Sequence, residues 1–190
     1  MTRVGFYIHR EAPKFTTALG LATVAITFYG AAKLIPPFYS HMYPFAWYGL
    51  ILFLDGILWW KWDESLIFKR FPEFITLCFW SAMFWFFFEV WNLRLQNWYY
   101  VGAPDGRVWP HIEAYIDFAT VLPGMFLLYR LLCKLNIPKE RTGKRLPSTH
   151  VASISTLIGA VMVGLVAVFP GYFFPFVWGA FIFLLEPLLA

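Results

Sequence analysis

The sequence predicts an all-helical, polytopic membrane protein, a transmembrane bundle of about six spans with its N-terminus in the cytoplasm. Three observations lead there. Of the 190 residues, 60% are hydrophobic and only 14% charged; soluble domains average roughly 45–50% and about 25%, and a soluble fold could not hide so much apolar surface. The apolar residues run in long stretches of helical length. The basic residues gather in alternate connections.

The spans cover roughly 15–38, 43–61, 74–94, 111–133, 149–170 and 174–190. Crossing a bilayer core near 30 Å takes about 20 apolar residues; the first five meet this, and the sixth has 17 residues when the sequence stops. The opening "MTRVGFYIHREAPKF" is basic but lacks a small-residue cleavage site after a short apolar core. Span one therefore reads as a retained helix, not a signal peptide. Orientation follows from Lys and Arg. Arg3, Arg10 and Lys14 lie before span one, Lys61, Lys69 and Arg70 around the connection after span two, and Arg130, Lys134, Lys139, Arg141, Lys144 and Arg145 at and after the end of span four. That places 12 of the 15 basic residues on one side, leaving Lys33, Arg94 and Arg107 on the other. The implied location is a bacterial inner membrane, multi-pass. The net charge of +4 is thus topogenic and carries no nucleic-acid signal, and Cys78 and Cys133 form no metal or disulfide pattern.

The connections add detail. "WDESLIFKRFPEF" (62–74) reads as a short interfacial helix with Asp63 or Ser65 as N-cap and Pro72 at its end. "NWYYVGAPDGRVWP" (97–110) reads as a hairpin-like loop turning at Pro104-Asp105-Gly106, with Trp98, Tyr99, Tyr100 and Trp109 as interfacial anchors at headgroup level. "KLNIPKERTGKRLPST" (134–149) reads as a basic loop resting on anionic lipid. Ser148 or Thr149 can cap span five.

Residues 1–190 form a single transmembrane domain in which a parallel internal repeat is expected. "YPFAWYGLILFLDG" (43–56) aligns with "FPFVWGAFIFLLEP" (174–187): Pro44, Phe45, Trp47, Ile51 and Leu54 recur as Pro175, Phe176, Trp178, Ile182 and Leu185, and Asp55 as Glu186. Spans one and five are both rich in small residues, which permit close helix approach. Repeat unit 1 would cover about 15–146, and unit 2 would start at about 147–190 and be incomplete, so the natural chain is expected to continue beyond Ala190.

The chemistry-bearing residues are acids inside spans. Each costs about 2.5–3.5 kcal/mol to insert, so each should face protein, a polar partner or a water-filled cavity. Asp55 lies mid-span two, Glu89 in span three, Asp117 in span four with Glu113 one turn before it, and Glu186 deep in span six. Trp85, Glu89 and Asn92 share one helical stripe, as do Glu113, Asp117 and Thr120, and the two stripes are expected to meet. Asp55, Glu89, Asn92, Asp117 and Glu186 are read as a polar intramembrane cluster. Its roles are either interhelical glue or an active site or proton path. Basic partners are scarce, with only Lys33, Arg94 and His111 near; His9 and His41 have no ligand-like partners. No metal site is predicted.

Part of the chain resembles a family. "FEVWNLRLQNWYY…WPHIEAYIDFAT" resembles the lycopene cyclase-type membrane domain of carotenoid synthesis, with Glu89, Trp98, Tyr100, Pro110 and Glu113 in comparable places. The family's paired Glu is single here, because Ala114 follows Glu113, and its first acid is usually Asp. The resemblance covers about 30 of 190 residues. It implies a carotenoid- or isoprenoid-modifying enzyme in which protonated carboxyls (Asp55, Glu89, Glu113 and Asp117 in this chain) attack a polyene, with aromatic faces steadying a carbocation. The whole chain resembles polytopic proteins of bacterial inner membranes, which implies architecture and no chemistry. "KERTGKRLPSTH" (139–150) is similar to lipid phosphatase motifs, but their separate segments are fused here and no His follows His150.

The leading expectation is an accessory or structural subunit of a larger membrane complex, photosynthetic or respiratory, packing against lipids, other membrane subunits, and carotenoid, chlorophyll-type pigment or quinone. The enzyme reading is second. A small proton-coupled transporter using the same acids is third.

Overall fold

Inside a bilayer the backbone must hydrogen-bond to itself, and a long apolar stretch does so as a helix. The computed structural model describes residues 3–100, 109–137 and 148–189, and the side chains of all of these except 3–10, 148–150, 186, 188 and 189. Among the described residues every regular element is helical: α1 (Arg3–Ala32), α2 (Met42–Trp62), α3 (Phe71–Leu95), α4 (Trp109–Phe118), α5 (Val121–Lys134), α6 (Ser148–Val168), α7 (Pro170–Phe173) and α8 (Phe176–Leu189). Five stretches are long and apolar enough to cross a membrane: Glu11–Ala32, Met42–Trp62, Phe71–Leu95, Trp109–Lys134 and Val151–Val168. A shorter apolar stretch, Phe176–Leu185, lies within α8. The predicted hairpin turn at 104–106 and most of the basic loop at 134–149 fall outside the described residues.

The ends of three helices explain where spans stop. Span one closes at Ala32, earlier than the sequence suggests. Leu34 takes a left-handed conformation (φ 56°) and the Ile35 N–H returns to Gly30 O at 2.8 Å. Asp63 (φ 57°) ends α2 the same way, with Glu64 N–H on Leu58 O, and Asn136 (φ 54°) ends α5, with Ile137 N–H on Leu132 O. The bond is six-to-one in α1 and α5 and one residue wider in α2, and each satisfies a carbonyl the helix end would leave open.

Residues 63–70 do not form the expected interfacial helix; they make turns. Asp63 is the C-cap of α2 rather than an N-cap. Pro72 sits in the first turn of α3, where its missing N–H costs nothing, so it starts a helix instead of ending one. Ser65 does accept the Phe68 N–H (2.9 Å), but within a turn.

The contacts divide the chain into two units, Met1–Phe86 with Gly102–Lys139, and Phe87–Val101 with Glu140–Ala190. In the first unit, α1 and α2 touch backbone to backbone. A methyl group on Gly20 would lie 2.7 Å from Phe53 Cα and 2.8 Å from Gly49 O, and one on Gly56 would lie 2.8 Å from Thr17 Cα. The other side of α2 buries Ile51, Leu54 and Leu58 with Leu127 of α5 and Leu66 of the connection. In the second unit α6 lies against α8. Gly159 faces Ala180 and Leu184 there, and a methyl group on it would lie 2.9 Å from Ala180 O. Phe88, Leu95, Val166 and Val177 form this unit's core.

Candidate functional site at a broken helix

Span four is not one helix. An unbroken helix would ask Pro123 to supply an N–H to Ala119 O, and proline has none. The chain breaks at Ala119 and Thr120, which moves Pro123 into the first turn of α5. Ten residues precede the break within the 26 of Trp109–Lys134. At 1.5 Å per residue that is about 15 Å, half the depth of a bilayer core.

Backbone groups freed at such a depth need partners, and side chains supply them. Phe118 O and Leu122 N–H would bond each other in an intact helix. Instead, the Ser81 hydroxyl of α3 sits between them, donating to Phe118 O (2.5 Å) and accepting from Leu122 N–H (3.0 Å). Tyr48 Oη of α2 donates to Ile116 O (3.0 Å). Thr120 folds back, donating from Oγ1 to Asp117 O (2.6 Å). Ser81 and Thr120 are buried. Thr120 was expected on one polar stripe with Glu113 and Asp117; at the break its hydroxyl bonds the backbone.

The two acids keep their places one turn apart before the break. Glu113 Oε1 lies 3.5 Å from Nδ1 of His41, the residue before α2. Asp117 lies within electrostatic range of Glu113, His41 and Tyr48. Among the described residues, His41 Nδ1, Glu113 Oε2 and Asp117 Oδ1 are the buried side-chain polar atoms with no hydrogen-bond partner. Phe118, on the same short helix, is buried with Ala82 and Ala119 among Trp85, Phe86 and Ala114. The group therefore offers two carboxyl oxygens and one imidazole nitrogen to a proton or a hydrogen-bonding ligand.

The remaining acids are committed elsewhere. Asp55, fully buried, accepts Ser65 Oγ–H (2.7 Å) on Oδ2 and the N–H groups of Leu66 (2.6 Å) and Ile67 (3.4 Å) on Oδ1. Its carboxylate pins the 63–70 segment against α2. Glu89 Oε1 accepts Trp98 Nε1–H (3.0 Å) and Tyr100 Oη–H (2.5 Å). Asn92 finishes α3: Nδ2 donates to Trp98 O (2.7 Å) and Oδ1 accepts Asn97 N–H (3.0 Å). Of the expected anchors, Trp98 and Tyr100 thus donate to Glu89, and Trp98 also packs on Trp178 (ring centroids 5.8 Å apart). Tyr99 and Trp109 are exposed. The Glu186 side chain lies outside the described residues.

His41, Tyr48 and Ser81 were missed as site residues in the sequence. His41 stands 72 residues before Glu113, and no local pattern links them. Pro123 in the middle of an apolar span was the available signal for the break.

Fold and site together define a multi-pass helical membrane protein with lipid-facing spans and a polar site at a discontinuous helix. No known protein family, characterised protein or solved structure matches this chain.

Proposed function

We propose that the protein is a small proton-coupled membrane transporter whose working site is the His41–Glu113–Asp117 group beside the break. The supporting observation is that set of three buried polar atoms with no partner. A buried acceptor without a donor costs several kcal/mol in an apolar medium, so the site is complete only when something brings a hydrogen to it. Glu113 and Asp117 lie on one face, one turn apart, and can pass a proton between them. His41, with its side chain 42% exposed, is the wet end of the path. Discontinuous helices near the bilayer midplane are where transport sites are commonly built. The test is reconstitution into vesicles holding a pH-reporting dye. An imposed pH gradient should drive proton movement through the wild type, and Glu113→Gln and Asp117→Asn should abolish it while helicity and unfolding temperature are kept. A folded wild type that moves no protons, or an Asp117→Asn variant that moves them normally, ends the proposal.

The accessory-subunit reading has its own support in the large aromatic side chains left exposed along α3, among them Phe79, Trp80, Phe84 and Phe87. These suit lipid, quinone, pigment or a neighbouring subunit. A bacterial inner membrane with a cytoplasmic N-terminus belongs to the same reading and rests on the 12-to-3 division of basic residues. Purification in mild detergent should then show co-migration with a large complex; a solitary stable particle counts against it. The cyclase-type reading loses ground, because Asp55 and Glu89 already serve as acceptors for neighbouring segments.

A further inference from the structure

A second polar site lies where the end of α2, the 63–70 segment and α5 come together. Because Asp55 holds Ser65, Leu66 and Ile67 down, the segment folds back over α2 and leaves a cavity of about 180 Å³. Its apolar lining is made by Leu58, Leu66, Phe126 and Leu127. Its charged lining has three cations, Lys69, Arg70 and Arg130, against two acids, Asp63 and Glu64.

We propose that this cavity binds the phosphate of an anionic phospholipid, with Lys69, Arg70 and Arg130 on the phosphate and an acyl chain along Phe126 and Leu127. The lining favours a lipid over a free ion: cations and hydrocarbon side chains share one cavity, and the Arg70 guanidinium lies over the Phe126 ring, 5.9 Å from its centroid. The level is also right, since the cavity sits where α2 ends and α5 approaches Lys134. Trp60 and Lys61, side by side in a cation–π contact of 4.3 Å, mark the same boundary. The acids position the cations without using them up. Lys69 pairs with Asp63, and Arg70 with Glu73. Arg130 meets Glu64 at 2.5 Å, and Lys134 holds the other oxygen of Glu64 at 2.5 Å. A guanidinium has five N–H donors, more than one carboxylate engages, and Lys134 offsets the Glu64 charge that would repel an anion. Basic pockets between helix ends are a recurrent way of holding anionic headgroups.

Native mass spectrometry of the full chain in detergent, with phosphatidylglycerol and phosphatidylcholine supplied equally, tests the assignment. The wild type should retain phosphatidylglycerol preferentially, and Lys69→Gln with Arg70→Gln should cut that preference by about tenfold. Lys61→Gln, a charge removed from the same face but not from the cavity lining, should leave it unchanged and controls for folding and for diffuse surface charge. Equal retention of both lipids by the wild type overturns the proposal. So does an equal loss in Lys61→Gln and in the double variant. Inorganic phosphate supplies the remaining arm: if it displaces phosphatidylglycerol at equal concentration, the site reads a free phosphate and the lipid assignment is wrong.

Discussion

Asp55 and Asp117 are both aspartates inside apolar spans of the same unit, yet their surroundings are opposite. Asp55 is fully buried and receives three hydrogen bonds, all from the segment that follows its own helix. Asp117 is half-buried, and its Oδ1 receives none from the described residues. Inserting either acid carries a similar cost. For Asp55 the cost is offset locally, and the result is a fixed connection. For Asp117 it is left standing beside a second acid and an imidazole. The difference separates an acid that holds the fold from one free to bind.

The sharpest way to break this comparison is to remove each carboxylate. Asp55→Ala leaves the Ser65 hydroxyl and the Leu66 and Ile67 N–H groups without an acceptor. At about 1–3 kcal/mol per unsatisfied group, the expected loss is about 3 kcal/mol or more. It should appear as a large fall in unfolding temperature and early proteolysis within 63–70. Asp117→Ala removes no described side-chain bond and relieves a buried acceptor that has no donor, so it should leave stability unchanged or raise it. Equal destabilisation by the two variants would show that Asp117 is structural after all.

Ser81→Ala comes next. It removes the hydroxyl that donates to Phe118 O and accepts from Leu122 N–H, for a loss of about 1–3 kcal/mol. Hydrogen exchange at Leu122 should rise with it. Unchanged exchange there would mean that the break heals without Ser81, and that the site does not depend on α3.

The two helix pairs offer a further comparison. Gly49 and Phe53 meet Gly20, while Ala180 and Leu184 meet Gly159. The α8 residues stand 131 positions after their α2 counterparts, the same offset that aligns Pro44 with Pro175 and Trp47 with Trp178. We propose on this ground that α1–α2 and α6–α8 are copies of one parallel unit. Gly20→Ala and Gly159→Ala should each destabilise by about 1–3 kcal/mol through overpacking. Gly20 should cost more, since its three nearest neighbours, Phe53 N, Phe53 Cα and Gly49 O, are all backbone atoms that cannot move aside, whereas Gly159 meets one backbone atom, Ala180 O, and the flexible Leu184 side chain. Gly164, with nothing within 4 Å, should instead gain up to about 1 kcal/mol as Ala, from helix propensity. Thermal unfolding of the three variants decides it.

What was legible in the sequence follows from the range of each interaction. The helical class, the spans and the acid positions come from composition and apolar run length, which act locally. The break in span four was legible in principle, because Pro123 cannot serve Ala119, but the run of apolar residues around it masked the interruption. The bonds of Asp55 were not legible: Ser65 looks like the cap of a new helix, and the carboxylate it serves lies ten residues earlier in sequence, across a chain reversal. The pairing of His41 with Glu113 had no periodic signal at all.

Glu64 shows the same contrast at the protein's polar edge, with the smallest expected effect. Lys134 first, and Arg130 second, hold its carboxyl below the usual carboxylate range. A carboxyl lowered on folding adds stability that is complete above the unfolded value of about 4.3 and is lost as pH falls through the folded value. Glu64→Gln should therefore unfold earlier than wild type at neutral pH and match it in acid. With the carboxylate 35% exposed, screening keeps the difference below about 1 kcal/mol, and added salt should shrink it further. Unfolding temperatures of the two proteins at neutral and acid pH, in low and high salt, measure this. A gap that persists in acid would mean that Glu64 acts by shape rather than charge.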